Sequence, residues 1–306
     1  MIATFPPVID STMRSSFLLC PHHFFRRHCQ GLVVPREAIS VHLHFGGCLA
    51  RGLEATRRSY HSTGSPEEAV LRGTEALIQH WGDYIPPIDP TRSEATKTLD
   101  ACVLALHDYF VEWPLATDPV QIAVIEQEPC IEFSGAIPIA DLRHPVTNEP
   151  LLYSGKFDLL GVFENAHWGL DDKTTGYAVS NWADQWKLRG QFTGYSYIAR
   201  EWGVPLAGFL VRGIQPLARS TRLIPTVLIS MPPWKLDQWM AQLIHDVQRM
   251  LSYWETGKWP QILDAGCYRY NRTCEFMPLC SSPHPERWEG EYNVEHWDPI
   301  PRGNIL

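Results

Sequence analysis

Residues 153–195 read YSGKFDLLGVFENAHWGLDDKTTGYAVSNWADQWKLRGQFTGY. Two apolar runs rich in β-branched and aromatic residues, Lys156–Phe163 and His167–Lys173, flank Glu164, Asn165 and Ala166, three residues suited to a turn. That spacing predicts a β-hairpin. Asp158 interrupts the first run, and Asp171 and Lys173 close the second. Residues two apart share a face of a strand, so Asp171 and Lys173 project together and Asp172 points away. A hairpin brings Asp158 toward that pair. Two carboxylates and an ammonium at a strand end are costly unless they bind something, and a divalent cation fits them.

The order of the residues adds to the spacing. Gly155-x-x-Asp158, Asp171-x-Lys173-Thr174 after 13 positions, and Gln191-x-x-x-Tyr195 follow one another along the chain. They resemble the GxxD, (D/E)xK and QxxxY motifs of the PD-(D/E)XK nucleases, nearest to the RecB/AddB-like branch that includes phage-type exonucleases. The resemblance implies an α/β fold, a restriction-endonuclease-like core in which helices flank a mixed central sheet. It implies Mg²⁺ or Mn²⁺ on Asp158, Asp171 and the backbone carbonyl of Asp172. Lys173 would orient water and stabilise the pentacovalent state, and Gln191 and Tyr195 would hold Lys173 or a phosphate. Acting as a plain base, Lys173 would need a depressed pKa.

With 306 residues, 44% of them hydrophobic and 12 of them Trp, the chain is long enough for one large folded domain. It has no apolar run long enough for a transmembrane helix. The opening MIATFPPVID lacks the layout of a signal peptide, so a cytoplasmic location in a bacterial or phage-infected cell is expected. A net charge of −8 is unfavourable for nonspecific nucleic-acid binding. A local basic track could offset it, with candidates in Arg14, Arg26 and Arg27, in Arg51, Arg57 and Arg58, and in Arg212, Arg219 and Arg222.

Upstream of the hairpin, a helix is expected from Ser11 to about Leu32, broken or restarted at Pro21, and another over about Ala38–Tyr60. In the second, Phe45-Gly46 resembles the start of the family's FGxxxH helix, but Ala50 stands where the resemblance expects a metal-binding His. Either Glu54 or His44 substitutes, or water completes the shell. Ser65-Pro66-Glu67-Glu68 is a capping box opening a helix to about Trp81, and a further helix spans about Ser93–Trp113. These helices are expected to form an insertion, residues 62–116, beside the core. Gln121–Glu128 and Cys130–Ile137 alternate like strands, and Glu128 is a candidate to approach the metal from a neighbouring strand. After the hairpin come a helix at Asp184–Trp202, strands near Leu206–Ile214 and Pro225–Ser230, and a helix near Trp234–Glu255. Tyr177, Trp182 and Trp186 either stack on unpaired bases or pack in the core.

Of eight cysteines, three lie close together near the end as Cys267, Cys274 and Cys280. Structural zinc usually uses closer pairs. AddB-like relatives hold a [4Fe–4S] cluster on one N-terminal and three C-terminal cysteines, and Cys20, before Pro21, matches the fourth ligand, with Cys29 as its replacement. The resemblance therefore implies an iron–sulfur cluster stapling the segment 257–306 to the N-terminal helix, with Zn²⁺ as the alternative. Cys48, Cys102 and Cys130 lie in apolar segments and are expected to be buried.

These expectations describe a metal-dependent DNA nuclease within one domain, 1–306. It would be an exonuclease on single strands or DNA ends in recombination or repair, with a helicase or recombinase as a possible partner and no membrane. The competing expectation is a catalytically inactive Fe–S module that binds DNA or accompanies a helicase. A zinc-binding interaction protein would leave the Asp and Lys array unexplained.

Overall fold

The computed structural model describes residues 2–35, 40–86, 91, 94–177, 180–263, 266–269 and 272–300. Its centre is the hairpin: β7 (Pro150–Phe163) runs into β8 (Ala166–Thr174) through Glu164 and Asn165, both with positive φ (49° and 60°). Two successive left-handed residues match the right-handed twist of the flanking strands, so a two-residue turn closes the hairpin and Ala166 already belongs to β8. Both strands extend beyond the predicted runs.

Around β7 a seven-stranded mixed sheet is built. β6 (Ile131–Arg143) pairs antiparallel with one edge of β7, where β3 (Gln121–Ile122) also pairs at the far end. The short β1 (Val8–Ile9) joins β7 in parallel. On the other side β8 runs parallel to β9 (Leu206–Pro216), which pairs antiparallel with β10 (Thr221–Ser230). A sheet buried on both faces needs a helical layer on each. One layer holds α1 (Ser11–Leu19), α6 (Gly190–Glu201) and α7 (Pro233–Thr256), whose apolar faces meet Tyr153, Phe157, Phe209 and Val211. The other holds α3 (Val41–Thr63), α4 (Pro66–Trp81) and α5 (Leu99–Glu112), in one apolar cluster with Ile214; α5 packs over β9 and β10, α3 meets β6 and β8, and α4 packs on α3 and α5. The protein is thus α/β, a mixed central sheet flanked by helices.

One irregularity governs the site. In β7, Tyr153 and Phe157 face the α6 layer, as does Leu160, while Leu159 belongs to the opposite core, so the alternation slips at Asp158. In β6, Phe133 faces α6 and Ile131 the opposite side, a slip at Glu132, which has φ of 46°. A left-handed residue re-aims side chains as a bulge does. Glu132 and Asp158 occupy facing positions in that ladder, between the pairs Ile131–Leu159 and Phe133–Phe157.

Several predicted elements differ. The N-terminal helix stops at Leu19, because Cys20 is extended before Pro21; α2 (Pro21–Phe24) and a π-type turn, Phe25–Cys29, follow. The predicted start of α3 falls partly on residues outside those described. Ser65 caps α4, its Oγ accepting from the Glu68 N–H at 3.3 Å. α5 begins at Leu99, not Ser93, because Thr98 supplies the cap. The strand expected over 121–128 is divided into β3, β4 (Val124–Ile125) and β5 (Glu128–Pro129), because Glu126 and Gln127 turn the chain with positive φ. The helix expected from Asp184 starts as a single 3₁₀ turn, with α6 following from Gly190. Helices α4 and α5, in the segment 62–116 read as an insertion, share one apolar core with α3.

Candidate metal and nuclease site

The predicted trio comes together. Leu159 pairs with Leu170, so Asp158 and Asp171 are the next facing residues in the antiparallel ladder. Lys173 reaches Asp171, its Nζ 2.7 Å from Oδ2, and Asp158 is the second carboxylate acting on it. Asp171 is 2% exposed. Burial and the neighbouring Asp158 push its carboxyl up, to about 8. Burial likewise raises Asp158, against the opposing pull of Lys173. Burial alone would lower Lys173, but Asp171 and Asp158 outweigh it and hold it above its usual range. Lys173 is therefore a firm ammonium and not a general base in the metal-free protein.

Glu132 is the residue that the sequence reading missed. Opposite Asp158 on the far side from Asp171, it completes a row of three carboxylates across β6, β7 and β8. Burial and Asp158 push its carboxyl up, to about 7, while Lys156, at 2.7 Å, pulls it down. Its signal was a charged residue in the apolar run Ile131-Glu132-Phe133, beside the hairpin in sequence. Glu128, read as either a surface residue or an approach to the metal, is exposed in the outlying β4–β5 pair.

Asp172 points the other way, as its alternation requires. Its Oδ2 accepts from Arg57 at 2.6 Å and its Oδ1 from the Tyr109 hydroxyl at 2.9 Å. Arg57 and Arg212 both donate to that hydroxyl, at 2.8 and 3.0 Å, and Arg212 grips Asp118 through two bonds of 2.7 Å. This buried network ties α3, α5, β8 and β9 together behind the site, leaving only the backbone of Asp172 for a metal. The amide of Asp172 turns toward Asp158 Oδ2 at 3.4 Å.

A cavity of about 200 Å³ opens in front, lined by Ala50, Glu132, Asp158, Asp172 and Lys173. Ala50 lines it, neither His44 nor Glu54 does, and the Glu54 carboxylate acts on Glu132. His44 stacks on Tyr84 and approaches the Trp81 carbonyl oxygen, while Glu54 is paired with Arg51 and Arg58. On α6, Gln191 donates to the Tyr195 hydroxyl at 3.1 Å, and that hydroxyl belongs to the field of Lys173 and Asp158. Gln191 thus holds Tyr195, not Lys173. Gly155 explains the link between two motifs, since a Cβ there would lie 2.4 Å from the Tyr195 ring.

The carboxylates are hard oxygen donors suited to Mg²⁺ or Mn²⁺. Among the described residues no three His, Cys, Asp or Glu side chains converge on a single ion position.

Cys20, Cys267, Cys274 and Cys280 are gathered from the two ends of the chain. The Cys280 thiol is pushed up to about 11 by burial, then by Cys274, Cys20 and Cys267. The amide of Ile262 donates to Cys20 Sγ at 3.4 Å, and that of Cys274 to the Cys267 carbonyl oxygen at 2.8 Å. Cys29 is fully buried in the main core and cannot replace Cys20. Cys48, Cys102 and Cys130 are buried as expected.

Four of the nine candidate arginines of a basic track are not at the surface. Arg14, Arg26, Arg57 and Arg212 are buried in ion pairs with Asp246, Glu289, Asp172 and Asp118. Trp182 and Trp186 belong to the core, and only Tyr177 of the three aromatics is exposed.

No family profile matches the chain, and no curated protein matches it. Among solved structures it is similar to the crystal structure of SSO0001, with 13% identity and a TM-score of 0.29 over 72% of this chain and 78% of that one. So slight a likeness carries no argument. No helix among the described residues is long and apolar enough to cross a membrane.

Proposed function

We propose that the chain is a metal-dependent nuclease of the PD-(D/E)XK kind, hydrolysing phosphodiester bonds of DNA. The observation that carries this reading is the row Glu132–Asp158–Asp171 with Lys173 bound to its end. Asp158, Asp171 and the backbone carbonyl of Asp172 would hold Mg²⁺ or Mn²⁺, which when bound supplies positive charge against the phosphoryl oxygens. Lys173, kept charged by two aspartates, orients the attacking water and offsets charge on the pentacovalent phosphorus. Tyr195, fixed by Gln191, supports Lys173 from the helical side. Glu132 has a proton affinity near neutral and is the group suited to take up the water's proton.

The substrate would be single-stranded DNA or DNA ends, the place a bacterial or phage-infected cell, and a helicase or recombinase the partner. The four gathered cysteines would hold a [4Fe–4S] cluster as a staple, since hydrolysis has no use for its redox chemistry. Ala50 at the cavity favours a second reading, an inactive DNA-binding or helicase-associated module. Retention of both aspartates and the lysine at cost to the fold weighs against it.

End-labelled single- and double-stranded DNA with Mn²⁺ separates the two. Wild type should degrade an end-bearing substrate, and Asp171→Ala and Lys173→Ala should not. Equal degradation by all three preparations, or none by wild type, refutes the nuclease reading.

A further inference from the structure

A cavity of about 280 Å³ lies behind the carboxylate row, between the ends of α3 and α5 and the sheet. Its floor is the ladder pair Leu159–Leu170, the chain neighbours of Asp158 and Asp171. Its rim carries the exposed His61 and Gln121. Ala50, Leu53 and Arg57 of α3 border the cavity in front of the row, and Arg57, Tyr60 and His61 border this one. Residues so spaced share one side of a helix, so the two cavities follow α3 with Arg57 as their common wall.

The polar lining is made of buried donors that lack acceptors. Arg57 is 5% exposed, and its Nη2 is taken by the Tyr109 hydroxyl and Asp172. Its Nε and Nη1 have no hydrogen-bond partner among the described residues. Arg212, 1% exposed, spends Nη1 on Tyr109 and Asp118 and one Nη2 N–H on Asp118, which leaves a second Nη2 N–H unused. A buried donor without an acceptor costs free energy that a ligand oxygen in the cavity recovers.

The charges do not call for an anion. Asp172 and Asp118 already balance the two guanidinium groups, and a phosphate here would lie near both carboxylates. The rest of the wall is aromatic or apolar, with Tyr60, Phe110, Leu115 and Val120 above the floor. The volume is near the lower limit of small-molecule sites, about 300 Å³, and suits one flat ring system without its sugar. A neutral, flat ligand with carbonyl oxygens on its edge meets all of these conditions.

We infer that this cavity receives one unpaired base of the nucleic-acid strand, turned out beside the scissile phosphodiester and held at its carbonyl edge by Arg57. Arginine is the side chain that most often donates to base carbonyl oxygens, and unpaired bases stack on aromatic side chains. Adenine alone of the four bases has no carbonyl oxygen and is the one disfavoured. That the base belongs to a strand rests on the nuclease reading; the fit of a base to the cavity does not.

Binding is measured in EDTA, so that cleavage plays no part, with a fluorescent oligothymidylate and the same strand carrying one abasic site at successive positions. Thymidine and deoxyadenosine are tested by their effect on Tm. Leu115→Trp fills the cavity from a half-buried turn, and Tyr60→Ala removes aromatic wall without adding bulk. One abasic position should weaken wild-type binding on the order of tenfold. Leu115→Trp should bind the intact strand at that weakened level and lose nothing more at the abasic position, and Tyr60→Ala should shrink the same penalty. Thymidine should raise the Tm of wild type and not of Leu115→Trp, and deoxyadenosine should raise neither. A thymidine shift with no sensitive abasic position overturns the strand base and leaves a free nucleoside as the ligand. No shift and no sensitive position, or an abasic penalty unchanged in both folded variants, overturns the subsite. Asp171→Ala should lose cleavage and keep the abasic penalty, so a wild type that shows the penalty and cuts nothing refutes the nuclease reading alone.

Discussion

Replacing Asp171 with asparagine should stabilise the metal-free protein, although it removes a charge beside Lys173. Burial and Asp158 raise the carboxyl to about 8, so the folded state binds a proton that the unfolded chain has lost above its ordinary value of 3.8. Fewer protons bound in the unfolded state means that stability falls as pH rises through that window. Each unit is worth about 1.4 kcal/mol, and roughly three units separate the ordinary value from neutrality. Because Asp158 and Asp171 titrate as a pair, we expect on the order of 3 kcal/mol for this site at pH 7 and above. Asparagine has the shape of the protonated acid and carries none of that cost. In EDTA, Asp171→Asn should melt on the order of 6 °C above wild type at pH 8 and level with it near pH 4. Mn²⁺ should raise the wild-type Tm and narrow the gap, since it binds the folded carboxylates alone. A variant no more stable than wild type at pH 8, or a difference independent of pH, would show that the row is not under electrostatic stress.

Further outcomes follow from the same geometry. Arg57→Met leaves Asp172 buried without its guanidinium, a loss of about 3–5 kcal/mol that chemical denaturation will read. Glu132→Gln should reduce cleavage by about 10²–10⁴-fold, as the loss of a general base does, and should move the pH–rate profile, whereas a merely structural role would leave the profile in place. Purified protein should be brown with broad absorbance near ~400 nm, as Fe–S thiolate centres are. Cys267→Ser should lose that colour, and a colourless protein carrying zinc would favour the alternative metal.

The hairpin and the projection of Asp171, Lys173 and Asp172 were legible in the sequence, because strand alternation and a short turn are local properties, although the turn has two residues and not the three expected. The helical layers were legible for a related reason: caps such as Ser65 and breaks such as Pro21 act within a few residues. Glu132 was not, because its place depends on register with β7 and on a left-handed backbone that no local pattern announces. Arg57 and Arg212 misled for the opposite reason. An arginine in sequence reads as a surface charge, and only the fold brings Asp172, Asp118 and Tyr109 to it.

Anomalous diffraction at the manganese edge, from crystals soaked in Mn²⁺, tests the central claim most directly. The account predicts a peak between the carboxylates of Asp158 and Asp171, absent in Asp171→Asn. Full-occupancy manganese elsewhere, with none at those two side chains, would contradict it.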